Sequence, residues 1–546
     1  MSANRIGAAV AGLVVLVTAA MTGLSALNGD VAYALGGIET AGRGGVSIWD
    51  VFVARPLAYR LLLGGLDDGR HLVVGNASLP VEAIVIRVET AILIVAVAFV
   101  LYLGVRRFLG HRPAAVIAGS TALALIVSPP WHYLQPDWVA PLAAVLAVGA
   151  ACAPRQVWLG AVFGGAAAML AVAVKLATAP YAILALVLVF ALSPRRAVWT
   201  ALSTGVCTVL WYVLTKLVLP WEWIWLNDQA NLVTDAPIHH GIRWDDIHRL
   251  LLALGDVVIL NPIVLVAPAA ALVLVRRRPP GKPRWIATAT AVVAAGLAIS
   301  SAYGQGEFFM YHFAVVPVLA AAVWGAAFAL VPERRLSLLL GTAVAAAASA
   351  VLLRQPAQWR LDHATQVTSA YAAAAVIIAV LYVPARRRDP WMSGAIVLCA
   401  ALIPIILPGA PLSFSTYDYD VTNRSRDGVA YAELSERMGR DTPVLYLTFG
   451  AVNYAMGNPT SCRYPSPQWL QRGSAYPQVR TYPSYLDNLR CLTEDTRARF
   501  LVFQPRWFNL GKATPEVRAI INQRFDCSAA TRLPAPPGLL VCPARV

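Results

Sequence analysis

The sequence predicts a polytopic α-helical membrane protein with a small polar domain at its end. Of its 546 residues, 58% are hydrophobic and only 13% are charged, and the mean hydropathy is +0.61. A soluble globular protein carries about 25% charged residues. The net charge of +15 arises from basic residues that stand in short clusters between apolar runs. These observations exclude a cytosolic enzyme, a disordered protein or a nucleic-acid-binding module as the main body of the chain.

The transmembrane part is predicted from the length of its apolar stretches. A helix needs about 20 mostly apolar residues to cross a hydrocarbon core of about 30 Å. By this measure the sequence has about 13 candidate spans, at 7–27, 83–105, 112–129, 138–153, 157–175, 178–193, 198–219, 252–275, 285–303, 312–331, 336–353, 367–384 and 391–408. The fifth and sixth are divided only by the segment around Lys175 and Pro180. The first could be a signal peptide, but its length and the spans that follow favour an anchor.

The basic clusters predict the orientation, because short loops rich in Lys and Arg stay cytoplasmic. They fall in alternate loops: Arg106–Arg107 with Arg112, Arg155, Arg195–Arg196, Arg276–Arg278 with Lys282 and Arg284, Arg334–Arg335, and Arg386–Arg388. The N-terminus is therefore predicted to be cytoplasmic and residues after 408 extracytoplasmic. The outer loops, which are more aromatic and acidic, are 28–82, 129–137, 220–251, 302–311 and 354–366. We expect the functional residues on this outer face of the transmembrane domain, 1–408.

Residues 409–546 differ sharply in composition and predict a small α/β domain. They are polar and rich in turns, with three short β-like runs at 444–449, 500–503 and 538–541. Helical patterns lie between these runs, at 427–439 and 513–525.

The cysteines agree with this division of the chain. Cys152, Cys207 and Cys399 lie in apolar spans, where a free cysteine behaves as a small apolar side chain. The other four all lie in the outer domain: Cys462, Cys491, Cys527 and Cys542. An even number in an oxidising compartment favours two disulfides, with three possible pairings. A zinc site is the alternative, but the spacings are wide and the region has no histidine.

The first outer loop carries the most informative motif. It contains three parts: Asn28-Gly29-Asp30-Val31-Ala32-Tyr33, then Gly42-Arg43-Gly44-Gly45, then Trp49-Asp50-Val51-Phe52-Val53-Ala54-Arg55-Pro56-Leu57-Ala58-Tyr59-Arg60. An Asp follows the first span, an extended apolar and aromatic segment comes next, and a second Asp precedes an Arg-Pro pair.

Two further motifs lie in later outer loops. The first is Gln135-Pro136-Asp137-Trp138, at the outer mouth of the fourth span. The second comprises Tyr303-Gly304-Gln305 and, after a short gap, Phe309-Met310-Tyr311-His312-Phe313 with Pro317.

Together these motifs resemble the GT-C superfamily of membrane glycosyltransferases. The likeness is to the protein O-mannosyltransferase, aminoarabinose-transferase and mycobacterial arabinofuranosyltransferase types. Such enzymes carry Asp–x–x–Tyr after the first span, a Gly-rich turn, and then Asp–x–Phe–x–x–basic–Pro–Pro/Leu–x–Tyr. An acidic residue in the second outer loop and an aromatic–His–aromatic element before a late span complete the pattern. The resemblance covers roughly residues 1–330, and it departs where the family often has two prolines and this chain has Pro56-Leu57.

The resemblance implies an extracytoplasmic transfer of a sugar from a polyprenyl phosphate to an acceptor hydroxyl. Such a reaction needs a positioned acceptor, a base for its proton and positive charge for the departing phosphate. Asp30 is the implied base, and Asp137 and Asp50 are secondary acids that orient the acceptor or hold cations. The residues implied for contact with the donor phosphate or lipid are Arg55, Arg60, Lys175, Tyr303, Gln305, Tyr311 and His312. The aromatic residues implied for acceptor or sugar contact are Tyr33, Tyr59 and Trp138.

Several of these residues also have simpler interpretations. An ionisable residue inside a span usually faces a cavity or a partner, but Lys175 near the outer end of its span could instead extend to the interface. Asp30 could only cap a helix, and His312 could be an interfacial histidine. Asp67-Asp68-Gly69 is typical of a turn, and Trp221, Trp223 and Trp225 are typical of an interfacial belt or a sugar-stacking surface. His239-His240 and Asp245-Asp246 lie in one outer loop and could in combination bind a divalent cation. Adjacent side chains point in divergent directions, however, so no metal site is predicted.

The sequence therefore predicts a glycosyltransferase that acts on a cell-envelope glycan, lipid or protein. An Ala-, Arg- and Val-rich composition is typical of a high-GC bacterium such as an actinobacterium, in which arabinofuranosyl or mannosyl transfer would build the envelope. One alternative is a transporter or flippase of lipid-linked glycans, which would be expected to show paired repeats and broken helices. Another is a non-catalytic scaffold that presents the outer domain. We expect the outer domain to help bind the acceptor.

Overall fold

A computed structural model of the chain describes two compact units, each built from separate stretches of sequence. The first comprises Met1–Ser25, Thr90–Val209 and His240–Thr422, and the second comprises Ala26–Glu89, Leu210–His239 and Asn423–Val546. The residues that the structure describes are all except 1–2, 24–26, 76, 130–131, 236–243, 307, 382, 384–390, 403–426, 530 and 546. Of the sequence predictions, the Arg386–Arg388 cluster, the His239-His240 pair and the end of the last span lie outside these residues.

The described chain is mainly helical, with one small sheet. Helices α1 to α12 are Ala3–Gly23, Gly29–Arg43, Leu57–Val74, Leu79–Leu109, His111–Ile126, Pro136–Cys152, Val157–Ala173, Ala179–Leu192, Pro194–Val218, Pro220–Asp235, Trp244–Leu260 and Ile263–Arg276. Helices α13 to α23 are Lys282–Gln305, Val315–Leu330, Arg335–Leu353, Ala357–Asp362, Ala364–Val380, Trp391–Leu402, Asp427–Met438, Val452–Met456, Gln468–Ala475, Pro483–Glu494 and Pro515–Arg524. Strands β1 to β3 are Val444–Leu447, Phe500–Phe503 and Leu540–Pro543.

Each predicted span contains a helix, but fewer helices than predicted are long enough to cross a membrane unaided. Among the described residues, five helices are long and apolar enough to cross a membrane, or six if one bent pair of helices counts as a single span. Several others are apolar but shorter, among them α6, α7 and α17. The structure thus supports a helical membrane protein, while the count of about 13 spans stays a prediction.

The predicted span at 252–275 is wrong as a single straight helix. The chain breaks between α11 and α12, and the two helices meet at 94°. The break lies at Asn261 and Pro262. Proline has no N–H to donate and restricts the residue before it to non-helical conformations, which explains why an unbroken apolar pattern does not give one helix here.

Small residues position α6 in the first unit, and α6 in turn positions Asp137. The helix packs against α7 through a core made largely of alanines, including Ala144, Ala151 and Ala168. It also crosses α4 so closely that a Cβ added to Gly149 would lie 2.6 Å from the backbone nitrogen of Leu101. Because such contacts require small side chains, α6 has little freedom to shift.

The second unit contains the predicted α/β elements around a three-stranded sheet. Strand β1 pairs in parallel with β2, with Leu447 opposite Phe503, and β2 pairs antiparallel with β3. All three strands and the helices α19 and α23 overlap the β-like runs and the helical patterns that the sequence predicts. One side of the sheet is covered by a core that includes Trp469, Val517 and Ile521. A second hydrophobic core contains Tyr446 of β1 and Val502 of β2 together with Leu434 of α19.

The four outer cysteines form two disulfides, as predicted. Cys462 pairs with Cys491 and Cys527 pairs with Cys542. The sequence left three pairings open, since only the fold decides which Cα atoms come within bonding range. The pairs join the segment after α20 to α22, and the segment after α23 to β3.

Two local predictions for the second unit are wrong, and a third is wrong for one of its residues, Trp225. The extended segment expected after Asp30 is α2, and the turn expected at Asp67-Asp68-Gly69 lies inside α3. The predicted belt of Trp221, Trp223 and Trp225 lies on α10, and Trp225 is 2% exposed and packs beside Phe52 in the core. Tertiary burial overrides local turn and interface signals at these places.

Candidate functional site

A buried carboxylate at the start of α6 organises the candidate site of the first unit. Pro136 begins the helix and Asp137 lies in its first turn, where the helix dipole favours a negative charge. Asp137 is fully buried. The preceding Leu134 has a φ of +62°, a left-handed conformation that is strained for a leucine. Such strain persists where the surrounding structure enforces it, often at functional sites.

Lys175 lies in a break between two helices, which explains the charge inside an apolar stretch. Helix α7 ends at Ala173, Lys175 has an extended backbone, and a short turn at Leu176–Thr178 precedes α8. The hydroxyl of Thr178 donates to the carbonyls of Ala171 and Lys175 at 2.6 Å each. These two backbone carbonyls at the break are therefore hydrogen-bonded, and the side chain of Lys175 extends to Asp137.

Asp137, Lys175 and Gln305 form a closed hydrogen-bonded cluster. Lys175 Nζ lies 2.8 Å from Asp137 Oδ2, and Gln305 Nε2 donates to Asp137 Oδ1 at 2.9 Å. Lys175 also donates to Gln305 Oε1. Gln305 is the last residue of α13, which ends because Gly306 adopts the left-handed conformation that favours glycine. Both oxygens of the carboxylate are thus engaged.

The lysine is a partly exposed member of this cluster, as is Gln305, whereas the aspartate is buried. The side chain of Lys175 is 27% exposed, whereas that of Asp137 is 0% exposed. An ammonium has three N–H groups, and two of those on Lys175 have partners among the described residues. The arrangement holds a cation rigidly from its buried side and leaves one donor for an anionic ligand.

Two histidines lie within the electrostatic range of Asp137. His312, in the short helical turn Met310–Phe313, is buried, and its carbonyl accepts a hydrogen bond from Tyr181 at 2.9 Å. His132 is also buried, and burial lowers its pKa to about 3. His132 is therefore neutral at physiological pH and supplies no positive charge.

Asp30, the predicted base, lies in the second unit beside Arg55, a residue predicted to contact the donor phosphate. Asn28 caps α2 by accepting from the backbone N–H of Asp30 at 2.8 Å, so Asp30 is not the cap itself. Arg55 Nη2 lies 3.4 Å from Asp30 Oδ2, and the two side chains are 22% and 25% exposed. Ala54, next to Arg55, has a φ of +57°, a second strained position beside a predicted site residue.

The remaining predicted residues are mostly held in the packing of their own unit. Arg60 is buried and donates to Glu222 at 2.9 Å. Asp50 is exposed and accepts from Ser47 in a turn. Tyr59 and Trp138 are both fully buried, and the indole N–H of Trp138 donates to Ser128. Their roles in phosphate or acceptor contact stay predictions.

Three predicted tyrosines have more definite surroundings. Tyr33 is buried, its hydroxyl donates to the carbonyl of Ser466, and burial raises its pKa to about 12. Tyr311 is half-buried and its ring stacks on Phe309. Tyr303 is half-buried near the end of α13.

A charged network that the sequence did not predict joins three helices of the second unit. Arg70 on α3 is buried and contacts Asp67 at 2.7 Å, Glu82 at 2.8 Å and Glu39 at 3.8 Å. The ligand atoms of Glu39, Asp67 and His71 lie within 4.8 Å of one another, close enough in principle for a metal ion. Arg70 already donates to His71 Nε2 at 2.7 Å. We therefore interpret the group as an ion-pair network in which the guanidinium is the central cation.

Glu39 makes the stability of this network depend on pH. Burial and the nearby Asp67 raise its pKa from 4.5 to about 7. A carboxyl group with a raised folded pKa is protonated more readily in the folded chain, so its contribution is fully present below pH 4.5 and is lost as the pH rises to about 7. Glutamine cannot ionise, so we expect the free energy of unfolding of Glu39→Gln to fall less than that of the wild type as the pH rises, by on the order of 1–3 kcal/mol.

Thermal unfolding in detergent at pH 5 and pH 8 measures the effect. The fall in midpoint between these pH values should be smaller in Glu39→Gln than in the wild type, and unchanged in Glu494→Gln, which alters an exposed glutamate of α22. Equal falls in all three proteins would contradict the assignment.

Several residues that contact the candidate site residues or form the Arg70 network were not identified from the sequence. The Arg70–Asp67 contact follows from an i,i+3 spacing that becomes visible only if α3 is a helix. Glu222 stands between two tryptophans, and nothing in that pattern indicates Arg60 as its partner. Ser301, which donates to the carbonyl of Ala177 at 2.9 Å and accepts from Gln305, lies one helical turn before Gln305.

The fold is similar to that of ArnT from Cupriavidus metallidurans. Its apo crystal structure matches with a TM-score of 0.52 at 16% sequence identity, over 98% of this chain and 97% of that one. The crystal structure of the same protein bound to undecaprenyl phosphate gives 0.51 with the same identity and coverage. The archaeal oligosaccharyltransferase AglB from Archaeoglobus fulgidus, in complex with an inhibitory peptide and a dolichol-phosphate, gives only 0.41 at 10% identity over 95% of this chain and 73% of that one.

No family model and no curated protein matches the sequence. The likeness to ArnT, at 16% sequence identity, therefore concerns the fold alone, and the aminoarabinose-transferase type of fold that the sequence resemblance predicted is confirmed at that level.

Proposed function

We propose that this chain is a GT-C glycosyltransferase that moves a sugar from a polyprenyl phosphate to a hydroxyl of a cell-envelope glycan, lipid or protein. The observation that carries the proposal is the half-buried ammonium of Lys175, fixed by the buried Asp137 and by Gln305. A phosphate leaving group needs such a cation, positioned in advance so that its side-chain entropy is already lost. The ArnT fold adds support, because one ArnT structure contains undecaprenyl phosphate.

The two predicted acids have different roles in this proposal. Asp137 is fully buried and both of its oxygens are engaged, so its role is to hold Lys175 rather than to accept a proton. Asp30 is partly exposed beside Arg55 and is the proposed base. His312 of the first unit is a proposed phosphate donor, and Arg55 of the second unit is the proposed partner of Asp30. The Ala-, Arg- and Val-rich composition indicates a high-GC bacterium such as an actinobacterium, in which arabinofuranose and mannose are the first candidates for the transferred sugar.

The proposed setting is a bacterial plasma membrane, with the N-terminus cytoplasmic and the C-terminal domain extracytoplasmic. Described basic clusters support this orientation, since Arg106–Arg107 end α4, Arg195–Arg196 begin α9 and Arg276 ends α12. The disulfides of the C-terminal domain support an oxidising compartment for it.

The direct test is consumption of a lipid-linked donor by the purified protein. The protein in nanodiscs is incubated with polyprenyl-phosphate arabinofuranose, mannose or aminoarabinose, and release of polyprenyl phosphate is followed by mass spectrometry. We expect one donor to be consumed. If folded protein consumes none, but moves a lipid-linked glycan across a vesicle membrane, the flippase alternative is favoured instead.

A further inference from the structure

The second unit has a row of aromatic rings whose function is not explained by packing. The row consists of Tyr33, Phe449 and Trp507, with ring centroids 5.0 Å apart between Tyr33 and Phe449 and 6.1 Å apart between Phe449 and Trp507. Phe449 is 37% exposed. It belongs to neither hydrophobic core of this unit, whereas Trp507 lies at the edge of one.

The arrangement of the rings leaves parts of their faces open. The planes of Phe449 and Trp507 lie within 17° of parallel. Rings in full face-to-face contact would be separated by about 3.5–4 Å, so a centroid distance of 6.1 Å means that these two are offset. Offset rings offer a flat apolar surface to a further ring, and the C–H face of a sugar packs on such a surface.

The row lies where parallel strands commonly bind ligands. Strands β1 and β2 end together, with Leu447 opposite Phe503. Phe449 follows β1 by two residues, and Gln504 directly follows β2. In sheets with parallel strands, ligands bind beyond the carboxyl ends of the strands. The sheet therefore fixes the position of the aromatic row, because Phe449 and Trp507 follow the ends of two paired strands.

Polar donors lie beside the rings. Gln504 Oε1 accepts from the backbone N–H of Phe449 at 3.3 Å, which fixes the side-chain amide. Among the described residues, neither Gln504 Nε2 nor the indole N–H of Trp507 has a hydrogen-bond partner. Aromatic faces with a few convergent polar groups are the usual composition of a small-ligand site, and two donors suit sugar hydroxyl oxygens.

The row is joined to the predicted base. Tyr33 and Asp30 are three residues apart on α2 and so lie on neighbouring positions of one helix face. A Cβ added to Gly29 would lie 3.9 Å from Gly450, which shows that the start of α2 lies against the turn that carries Phe449. A sugar on the rings would therefore lie beside the segment that presents Asp30.

We infer that Phe449 and Trp507 bind a sugar ring of the acceptor, with Gln504 and the Trp507 indole donating to its hydroxyls, so that the acceptor is a glycan rather than a peptide. This inference rests on the proposed function, of which it names the acceptor class. Tyr33 supports Phe449 from beneath the surface, since it is 3% exposed.

The test measures glycan binding and transfer separately, with the full-length protein in nanodiscs. The probes are octyl glycosides of mannose and arabinofuranose disaccharides and, as a contrast, a serine- and threonine-rich peptide. Binding is measured without donor by saturation-transfer NMR, and transfer is measured with the donor found active. We expect Phe449→Ala and Trp507→Ala each to weaken glycoside binding about tenfold and to raise the acceptor KM by a similar factor, with kcat and the donor KM unchanged.

Matched variants keep the outcome clear. Trp49→Ala removes an exposed ring of the same unit outside the row and should leave binding unchanged. Phe449→Tyr retains a ring and should restore most of the affinity. Unchanged glycoside binding in both alanine variants overturns the inference, as does ring-dependent binding of the peptide alone. If no donor is consumed by the wild type, the proposed function fails, while glycoside binding without donor still decides the inference.

Discussion

Replacing Lys175 by alanine is expected to lower kcat/KM for the lipid-phosphate donor by roughly 30- to 1000-fold. This range corresponds to about 2–4 kcal/mol, the loss found when one positioned charge or donor is removed from a developing anion. The reason is that the ammonium, fixed by Asp137 at 2.8 Å, would no longer neutralise the departing phosphate. Inhibition by free polyprenyl phosphate, the product, should weaken in parallel. Steady-state kinetics with varied donor measure both.

The alanine variant alone does not separate catalysis from stability. Removing Lys175 leaves Asp137 buried without its cation, and breaking a buried ion pair costs about 3–5 kcal/mol. The double variant Asp137→Asn with Lys175→Gln removes both charges together and keeps hydrogen-bonding groups near Gln305. We expect it to unfold close to the wild-type temperature and still to lose donor use.

Two further variants complete the comparison. Lys175→Arg keeps the charge and should retain part of the activity, although a planar guanidinium fits the position of an ammonium poorly. Lys216→Ala removes an exposed lysine of α9, which donates to the hydroxyl of Tyr212, and should leave the kinetics unchanged. Wild-type donor kinetics in the double variant would show that Lys175 has only a structural role.

The sequence predicted the elements of this fold better than their arrangement. Apolar length located the helices of the predicted spans, and short β-like apolar runs located β1, β2 and β3, because each of these signals is local. The 94° break between α11 and α12 escaped, although Pro262 marks it, because apolar length alone does not register a bend. The union of 26–89 with 210–239 and 423–546 in one compact unit involves contacts far apart in sequence, which no local pattern encodes.

The same distinction applies to the candidate site. Lys175 was notable as a charge in an apolar stretch and Asp137 as an acid at a helix start, so both were identifiable one at a time. Their pairing through Gln305 joins α6, the break before α8 and the end of α13, and only the tertiary structure shows it. Conversely, Arg60 looked available for phosphate in sequence, whereas the structure pairs it with Glu222.

Asp30→Asn is expected to reduce sugar transfer by about 10²–10⁴-fold, the usual contribution of a positioned acid–base group. Asparagine keeps the size of the side chain and can still accept from neighbouring donors, but it cannot take the proton of the acceptor hydroxyl. Folding should survive, because Asn28 rather than Asp30 caps α2 and because the contact to Arg55 is partly exposed, where ion pairs add little. Transfer at saturating donor and acceptor measures the effect.

The comparison among three carboxylates makes the assignment decisive. Glu494→Gln changes an exposed glutamate of α22, outside the proposed site, and it should transfer sugar at the wild-type rate. Asp137→Asn should weaken donor use through Lys175 but keep a larger fraction of kcat than Asp30→Asn. The reverse order of severity, with the larger loss of kcat in Asp137→Asn, would transfer the role of base to Asp137. Near-wild-type transfer by both single variants and by their combination would show that neither carboxylate takes part in catalysis.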